Sequence, residues 1–368
     1  MTVDATTTEV SAAAYTIPTE VPEADGTFAW ESTTMVLVQA SAGDHCGIGW
    51  TYGPAAAADL VRGQLSDIAV GRSAMDVAGT FMAMVRAIRN VGRSGIGGQA
   101  ISAIDTALWD LKARLLGLPL HRLLGNVHSA IPIYGSGGFT NHDQSRMVRQ
   151  LNHWTNGLGA RAVKIKIAES SGARVDRDLD RMRSARETIG PDVDLMVDAN
   201  GGYQRKQAIR VMRDAADLNV AWFEEPVSSD DVDGLRSVRD AVDADVTAGE
   251  YGYDVYYFRR LCEARAVDCL QVDASRCGGV TGWLSAAAVA GSYGLDISGH
   301  CAPYLHRHAA AATPNVRHLE WFHDHARIER MSFDGADQPI DGMLHTDTGR
   351  TGNGLAFRAP DMERYRVR

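Results

Sequence analysis

Cysteine is scarce in this chain: 368 residues contain five, Cys46, Cys262, Cys269, Cys277 and Cys301. They are odd in number, widely spaced and form no CxxC pair, so they suggest neither a disulfide framework nor a zinc site, and a reducing cytosol fits best. Basic residues are also short, with 37 Lys and Arg against 46 Asp and Glu and a net charge of -9. The basic stripe that neutralises phosphates is therefore missing, which argues against nucleic acid and anionic membrane as partners. An anionic substrate would need a local positive site. No stretch approaches the roughly 18 apolar residues of a membrane span. The segment Met1 to Val10, carrying Asp4 and Glu9, lacks the basic start and apolar core of a signal peptide. What is present is 45% hydrophobic and 23% charged residues with 37 glycines spread along the chain, the composition of an ordinary globular protein. At about 100 to 200 residues per domain, the length predicts two or three domains, or one large barrel with an attachment.

The first 130 residues read as a mixed unit. β-Branched runs over Val10 to Ile17 and Thr33 to Ala40 predict an antiparallel meander, and Pro18 to Trp30 reads as a long connecting loop. A helix is predicted where Ile101, Ile104, Leu108, Leu111 and Leu115 recur at steps of three and four, stopped by Gly117 and Pro119. From Ile131 the rhythm changes. Short apolar runs begin near Ile131, Arg161, Val193, Val220, Asp245, Asp268, Leu295 and His318, with helical stretches between them. That alternation predicts an α/β fold, either a (β/α)8 TIM barrel or an open doubly wound sheet. Gly95-Ile96-Gly97-Gly98 is a poor nucleotide fingerprint, with no clear strand before it and its third glycine misplaced. The last 30 or so residues are expected to leave the barrel and pack back on the first unit.

The polar residues at the strand ends carry the chemistry. In Val163-Lys164-Ile165-Lys166-Ile167 the lysines alternate with branched residues and share one side of the sheet. Placed inside a barrel mouth, their mutual repulsion is expected to lower at least one pKa toward the range of a base; an outward-facing pair on a solvated edge strand is the plainer alternative. Asp198, Glu224 and Glu250 end the next three strands at equal intervals of 26 residues, so three hard oxygen donors converge, suited to Mg²⁺ rather than zinc. Singly, each would more often be a helix cap or surface charge. Asp273 and His300 end two further strands and can pair as an oriented general base. Glu320, on the eighth, reads as a buried acid able to donate a hydrogen bond if kept protonated. The motifs His306-Arg-His308 and His323-Asp-His325 suggest a metal-dependent hydrolase barrel only weakly, because the first strand, Ile131 to Gly135, has no His-x-His. Arg276-Cys-Gly-Gly279 either offers backbone N–H groups to an anion or simply permits a tight turn.

Together these residues resemble the enolase superfamily, and within it the mandelate racemase subgroup. The resemblance implies a modified barrel of the (β/α)7β type over 131–335, an N-terminal α+β capping domain over 1–130 and a C-terminal segment over 336–368. It implies Mg²⁺ held by Asp198, Glu224 and Glu250, with Glu225 beside the ligand and outside the metal's direct contacts. Lys164 would neutralise the substrate carboxylate, Lys166 and His300 would be bases on opposite faces, Asp273 would orient His300, and Glu320 would hydrogen-bond the developing enediolate. The capping loop, about residues 18–32, would set specificity, with Phe28 and Trp30 as contacts; Asn200 and Tyr203 offer polar groups for further hydroxyls. The implied reaction is abstraction of a proton alpha to a carboxylate, either dehydrating an acid sugar to a 2-keto-3-deoxy acid or racemising a 2-hydroxy acid. A non-catalytic ligand-binding descendant is the alternative from another class, disfavoured because every proton-transfer residue is present. The expected setting is cytoplasmic, with a small carboxylate as partner and a homo-oligomer, dimer or octamer, by resemblance.

Overall fold

The computed structural model describes residues 5–346 and 349–368; the first four residues of the Met1–Val10 stretch and two of the 336–368 segment lie outside that range. Three strands, β1 (Glu9–Ala24), β2 (Ala29–Ala42) and β3 (His45–Tyr52), form an antiparallel sheet in that order. The helix Ile96–Leu115 lies across it. The two meet closely because Gly47 and Gly49 have no side chains: a Cβ on either would sit 2.3 Å from the carbonyl oxygen of Ala107 or Ala103. The helix is buried on nearly every side. Its outer face carries Asp105, which accepts from Thr281 N at 3.0 Å and Thr281 Oγ1 at 2.6 Å and so ties the cap to the barrel helix Gly279–Ser292.

Eight parallel strands close the barrel: β4 (Ala130–Gly137), β5 (Ala162–Lys166), β6 (Asp194–Asp198), β7 (Val220–Glu224), β8 (Asp245–Ala248), β9 (Cys269–Val272), β10 (Asp296–Gly299) and β11 (Val316–Phe322), with β11 pairing back to β4. Helices separate consecutive strands, and the helix His323–Ser332 follows the last one. Strand periodicity sorts side chains into a helix-facing set, such as Val163, Ile165, Val197 and Phe223, and an inward set. Inward residues stack in layers. Tyr134, Ala162, Met196, Trp222 and Cys269 plug the N-terminal end, and Lys164, Glu224 and Glu320 lie above them, all buried. Lys166, Asp198, Asp273 and His300 follow at the C-terminal ends.

Beyond β11 come β12 (Phe333–Asp334), β13 (Met343–His345) and β14 (Ala356–Phe357). β13 adds antiparallel to β4. The chain then returns to the cap, where Asn353 N donates to buried Asp110 at 2.6 Å and Val367 N donates to Ala14 O at 2.8 Å. Among the described residues no helix is long and apolar enough to cross a membrane.

The stretch from Pro18 to Trp30 is not a loop. β1 and β2 continue through it as a hairpin arm, with Pro18 opposite Ser32, Glu23 opposite Trp30 and Ala24 opposite Ala29, and with extra β1 residues bulging between Pro18 and Glu23. Its prolines and glycine suggested irregular chain, yet prolines are tolerated on an edge strand or at a bulge. The turn is an Asx type, in which Asp25 Oδ1 accepts from Thr27 N at 2.6 Å and Phe28 N at 2.7 Å. The arm docks on the barrel mouth: Thr140 N donates to Ala24 O and Ser171 N to Gly26 O, each at 2.8 Å. A Cβ at Gly26 would lie 2.4 Å from Ile167 O, so the close approach requires glycine.

Candidate active site

The mouth of the barrel and the hairpin arm enclose a cavity of about 380 Å³ lined by Lys166, Asn200, Glu250, Arg276, His300, Cys301 and Glu320 from the barrel, and by Phe28, Trp30 and Tyr52 from the cap. The chain turns sharply as it leaves the strands here. Ala168, Asn200, Glu225, Cys301 and Ala302 all hold positive φ values, 62°, 44°, 35°, 54° and 36°. Non-glycine residues in that region cost free energy and concentrate at functional sites, where the surroundings enforce them.

Two ion-paired networks face the cavity. In the first, fully buried Lys164 Nζ lies 2.5 Å from Glu224 Oε1, 2.9 Å from Glu320 Oε1 and 3.8 Å from Asp198 Oδ2. Lys166 Nζ donates to Asp198 Oδ2. Trp222 Nε1 donates to Glu224 Oε2 at 2.9 Å, and Asn200 N to Asp198 Oδ1 at 2.9 Å. In the second, His300 Nδ1 lies 2.9 Å from Asp273 Oδ2. A carboxylate only accepts, so Nδ1 carries a proton, and Nε2 presents a lone pair in the neutral form of the ring. That Nε2 lies 3.3 Å from Glu250 Oε2 and 3.3 Å from Cys301 Sγ. Arg276 joins Glu250 at 3.3 Å and Asp273 at 3.4 Å.

The charge states follow from these contacts. Burial alone would lower the pKa of both lysines, but Glu224 and Glu320 around Lys164, and Asp198 beside Lys166, outweigh it and raise both. The expected depression by mutual repulsion does not occur, because carboxylates stand closer to each ammonium than its fellow lysine's charge can offset. Glu320 is likewise an acceptor rather than a protonated donor. Burial would raise it, yet Lys164 holds it low, and its Oε2 accepts from Cys301 N at 2.7 Å. Asp273 is lowered well below its ordinary value because the His300 hydrogen bond and the Arg276 charge overcome burial. His300 is raised: burial would lower it, and Glu250 and Asp273 prevail. Burial pushes Glu224 up to about 8 and raises Glu225 well above its ordinary value, with neighbouring carboxylates adding to both.

The candidate residues thus divide. Lys164, Lys166, Asp198, Glu224 and Glu320 form one cluster, and Glu250, Asp273 and His300 the other. Asp198 and Glu224 stand at paired positions of neighbouring strands, whereas Glu250 is engaged by His300 and Arg276. Asn200 lines the cavity, and its Oδ1 is buried without a hydrogen-bond partner. Phe28 is 69% exposed and stacks on Trp30 at 6.3 Å, while Trp30 packs edge-on against Phe139 at 5.4 Å and donates its indole N–H to Glu23. Tyr203 does not reach the cavity: its hydroxyl donates to Asp178 at 2.6 Å and accepts from Ala168 N.

The Arg276-Cys-Gly-Gly279 amides are spent on the turn, Gly278 N donating to Ser102 Oγ at 2.8 Å and Gly279 N to Ala274 O at 3.1 Å, so this run is a turn device. His306 and His308 are structural as well. His306 Nε2 accepts from Ala274 N at 2.8 Å, and His308 is held by His121 at 3.1 Å and Asn353 O at 2.8 Å. Sequence reasoning missed Arg276 as a cavity side chain, along with Tyr52, Cys301 and His325. The His325 ring stacks on Tyr52 at 3.6 Å. His325 and Arg276 lay within motifs already noted, while nothing around Tyr52 distinguishes it from other strand residues.

Comparison with known proteins places this architecture. Residues 5–125 match the mandelate racemase / muconate lactonizing enzyme N-terminal domain, and residues 146–362 match the enolase C-terminal domain-like family. A mandelate racemase/muconate lactonizing enzyme-like protein from Rubrobacter xylanophilus superposes with a TM-score of 0.94 at 43% identity, covering 98% of this chain and 99% of that one. A racemase from Streptomyces coelicolor solved with bound magnesium gives 0.92 at 28% identity, with 98% and 100% covered. The L-talarate/galactarate dehydratase of Salmonella typhimurium is 33% identical over 283 residues, 75% of this chain and 70% of that protein. Its structure with Mg and L-lyxarohydroxamate gives a TM-score of 0.90 at 26% identity, covering 100% of this chain and 94% of that one. With both domains matched and the barrel closed as described, the chain belongs to the mandelate racemase/muconate lactonizing enzyme family of the enolase superfamily.

Proposed function

We propose that this protein is a Mg²⁺-dependent lyase that removes the proton alpha to the carboxylate of an acid sugar and expels the C3 hydroxyl, giving a 2-keto-3-deoxy acid. The observation that carries the reading is that Lys166 and His300, each held by its own carboxylate, line one cavity from strands β5 and β10. The dehydratase activity of the Salmonella relative supports the choice of reaction.

The donor set fits a hard divalent cation. Asp198, Glu224, Glu225 and Glu250 are all buried, burial and crowding raise Glu224 and Glu225 toward neutrality, and Glu225 Oε1 and Asn200 Oδ1 have no protein partner. Oxygen ligands of this kind suit Mg²⁺. Asp198, Glu224 and Glu250 would hold Mg²⁺, which would supply Lewis-acid stabilisation of charge on the substrate carboxylate.

The chain's own residues do the rest. Lys164 is a fully buried ammonium beneath the cavity-lining Glu320, preorganised to stabilise the negative charge that develops on the carboxylate oxygens. His300 Nε2 takes the alpha proton, Asp273 having fixed the tautomer. The imidazolium then returns that proton to the departing C3 hydroxyl, which leaves as water. Lys166 is held as an ammonium by Asp198 and so is placed to deliver a proton to C3 as the enol becomes the ketone. The arm bearing Phe28 and Trp30 covers the site, and Asn200 meets a substrate hydroxyl.

Incubating the protein with Mg²⁺ and a panel of aldonates and aldarates in deuterated water tests the proposal. A 2-keto-3-deoxy product, trapped by carbonyl derivatisation, is the expected result. If only alpha-deuterated substrate or its epimer forms, the reaction is racemisation. The same two-sided placement of Lys166 and His300 supports that second reading, as does the Streptomyces racemase.

A further inference from the structure

The cavity wall contains a second constellation of metal-binding groups, which sets the proposed base His300 beside a cysteine that dehydration does not use. His300 Nε2, Cys301 Sγ and a carboxylate oxygen of Glu320 all lie within 4.8 Å of one another, and all three residues are buried. We infer that these residues form an inhibitory site for a thiophilic divalent cation of the Zn²⁺ class. That the cation would silence the enzyme rests on the reading of His300 as the base; that it would bind does not.

The donors have the right chemistry. Nitrogen, sulfur and oxygen from three residues with a fourth position open to a cavity is the pattern of an accessible zinc site, and a thiolate selects against Mg²⁺. Bonds of about 2.3 Å to sulfur and about 2.0 to 2.2 Å to nitrogen and oxygen place tetrahedral ligand atoms about 3.4 to 3.6 Å apart. Cys301 Sγ and His300 Nε2 already stand at 3.3 Å. The outer shell is in place too. Metal-bound histidines nearly always donate their other nitrogen to a carboxylate or carbonyl, and His300 Nδ1 donates to Asp273 at 2.9 Å. Glu320 is steadied by Cys301 N at 2.7 Å and by Lys164 at 2.9 Å. Cys301, held at a left-handed φ of 54°, lines the cavity. Scarce, unpaired cysteines gave no zinc signal in the sequence because this site uses one cysteine beside a histidine and a glutamate 19 residues on.

On binding, a metal–sulfur bond replaces the S–H bond and the thiol proton passes to buffer. The metal also takes the Nε2 lone pair, so His300 cannot accept the alpha proton.

Co²⁺, a coloured stand-in for Zn²⁺, provides the direct test on the full chain in saturating Mg²⁺. Wild type should develop a near-ultraviolet sulfur-to-cobalt charge-transfer band. Cys301→Ala and Cys301→Ser should lack it while keeping wild-type circular dichroism, and His300→Asn should bind Co²⁺ at least tenfold more weakly. No band in wild type, or a band that persists in both cysteine variants, overturns the site. Micromolar Zn²⁺ should then lower turnover of the proposed dehydration at least tenfold in wild type and less than twofold in Cys301→Ala, reversibly with a chelator. Equal inhibition of both proteins places the metal on the Mg²⁺ carboxylates and overturns the inhibitory role. If no acid sugar is turned over, the function reading fails while the optical titration still decides the site.

Discussion

Glu329 should make the protein lose stability as the pH rises from 5 to 8, and Glu329→Gln should remove that loss. The residue lies on the helix His323–Ser332, fully buried, where the cap meets the barrel. Trp50 Nε1 donates to its Oε1 at 2.9 Å, the Tyr52 hydroxyl lies 3.3 Å away, and Tyr304 N donates to Oε2 at 3.0 Å. Burial outweighs these donors and pushes its pKa from 4.5 up to about 8. The folded protein therefore holds this proton more tightly than the unfolded chain. Its contribution is complete below pH 4.5 and is lost as the pH climbs through about 8. At about 1.4 kcal/mol per pH unit, the gap corresponds to about 5 kcal/mol in all, of which roughly 3 kcal/mol falls between pH 5 and 8. Glutamine cannot accept at both ends, so one of the Trp50 or Tyr304 donors is left facing an amide N–H, a fixed cost of about 1 to 3 kcal/mol. The variant should be less stable at pH 5 and should close the gap, or overtake wild type, by pH 8. Urea unfolding followed by tryptophan fluorescence across that range measures both slopes. Parallel slopes would refute the reasoning, because they would mean that the three donors keep Glu329 ionised in the fold.

Gly47→Ala should destabilise the cap by about 2 kcal/mol or more, since its Cβ would lie 2.3 Å from Ala107 O on the buried helix; a drop in melting temperature checks it. Asp273→Asn, which removes the acceptor that fixes the His300 tautomer, should cut turnover by about 10² to 10⁴-fold with folding intact, read from kcat beside circular dichroism. Phe28→Ala, at a residue 69% exposed on the arm, should leave the melting temperature within about 1 °C and act on KM for the acid-sugar substrate instead. Chelation of divalent ions, or Glu224→Gln, should abolish turnover; activity that survives either one contradicts the metal assignment.

The barrel was legible in the sequence because its signal is local. Strand starts anticipated at Ile131, Arg161, Val193, Val220, Asp245, Asp268, Leu295 and His318 each fall within two residues of the observed ones. Parallel strands buried on both sides read as short apolar runs, and a helix separates each from the next. The hairpin arm was not legible. Its strands are extended by docking on Thr140 and Ser171, residues more than 100 positions further along, while Pro18, Pro22 and Gly26 taken alone signal irregular chain. Tyr52 was missed for a similar reason, since its place in the cavity depends on the cap meeting His325 across the domain boundary.

Positions at the strand ends could be read; their charges could not. Two lysines two residues apart are visible in any alignment of letters, and repulsion between them is the natural inference. The carboxylates that decide the matter come from 32 residues onward for Asp198 and 60 for Glu224, and they reach the ammonium groups only when the barrel closes. Coulomb attraction at 2.5 Å to 3.8 Å inside a buried cluster then outweighs both desolvation and the like charge. The chemical consequence is an asymmetry that the sequence pattern alone does not contain. Lys166, held by Asp198, rests as an ammonium and offers a proton, while His300, its Nδ1 proton fixed by Asp273, offers a lone pair only in the neutral form of its ring. An acid on one side and a base on the other is what elimination followed by ketonisation needs, because one carbon must lose a proton and its neighbour must later gain one. One direction of racemisation draws on the same base and the same acid, so the fate of the C3 hydroxyl, and not the resting charges, separates the two reactions.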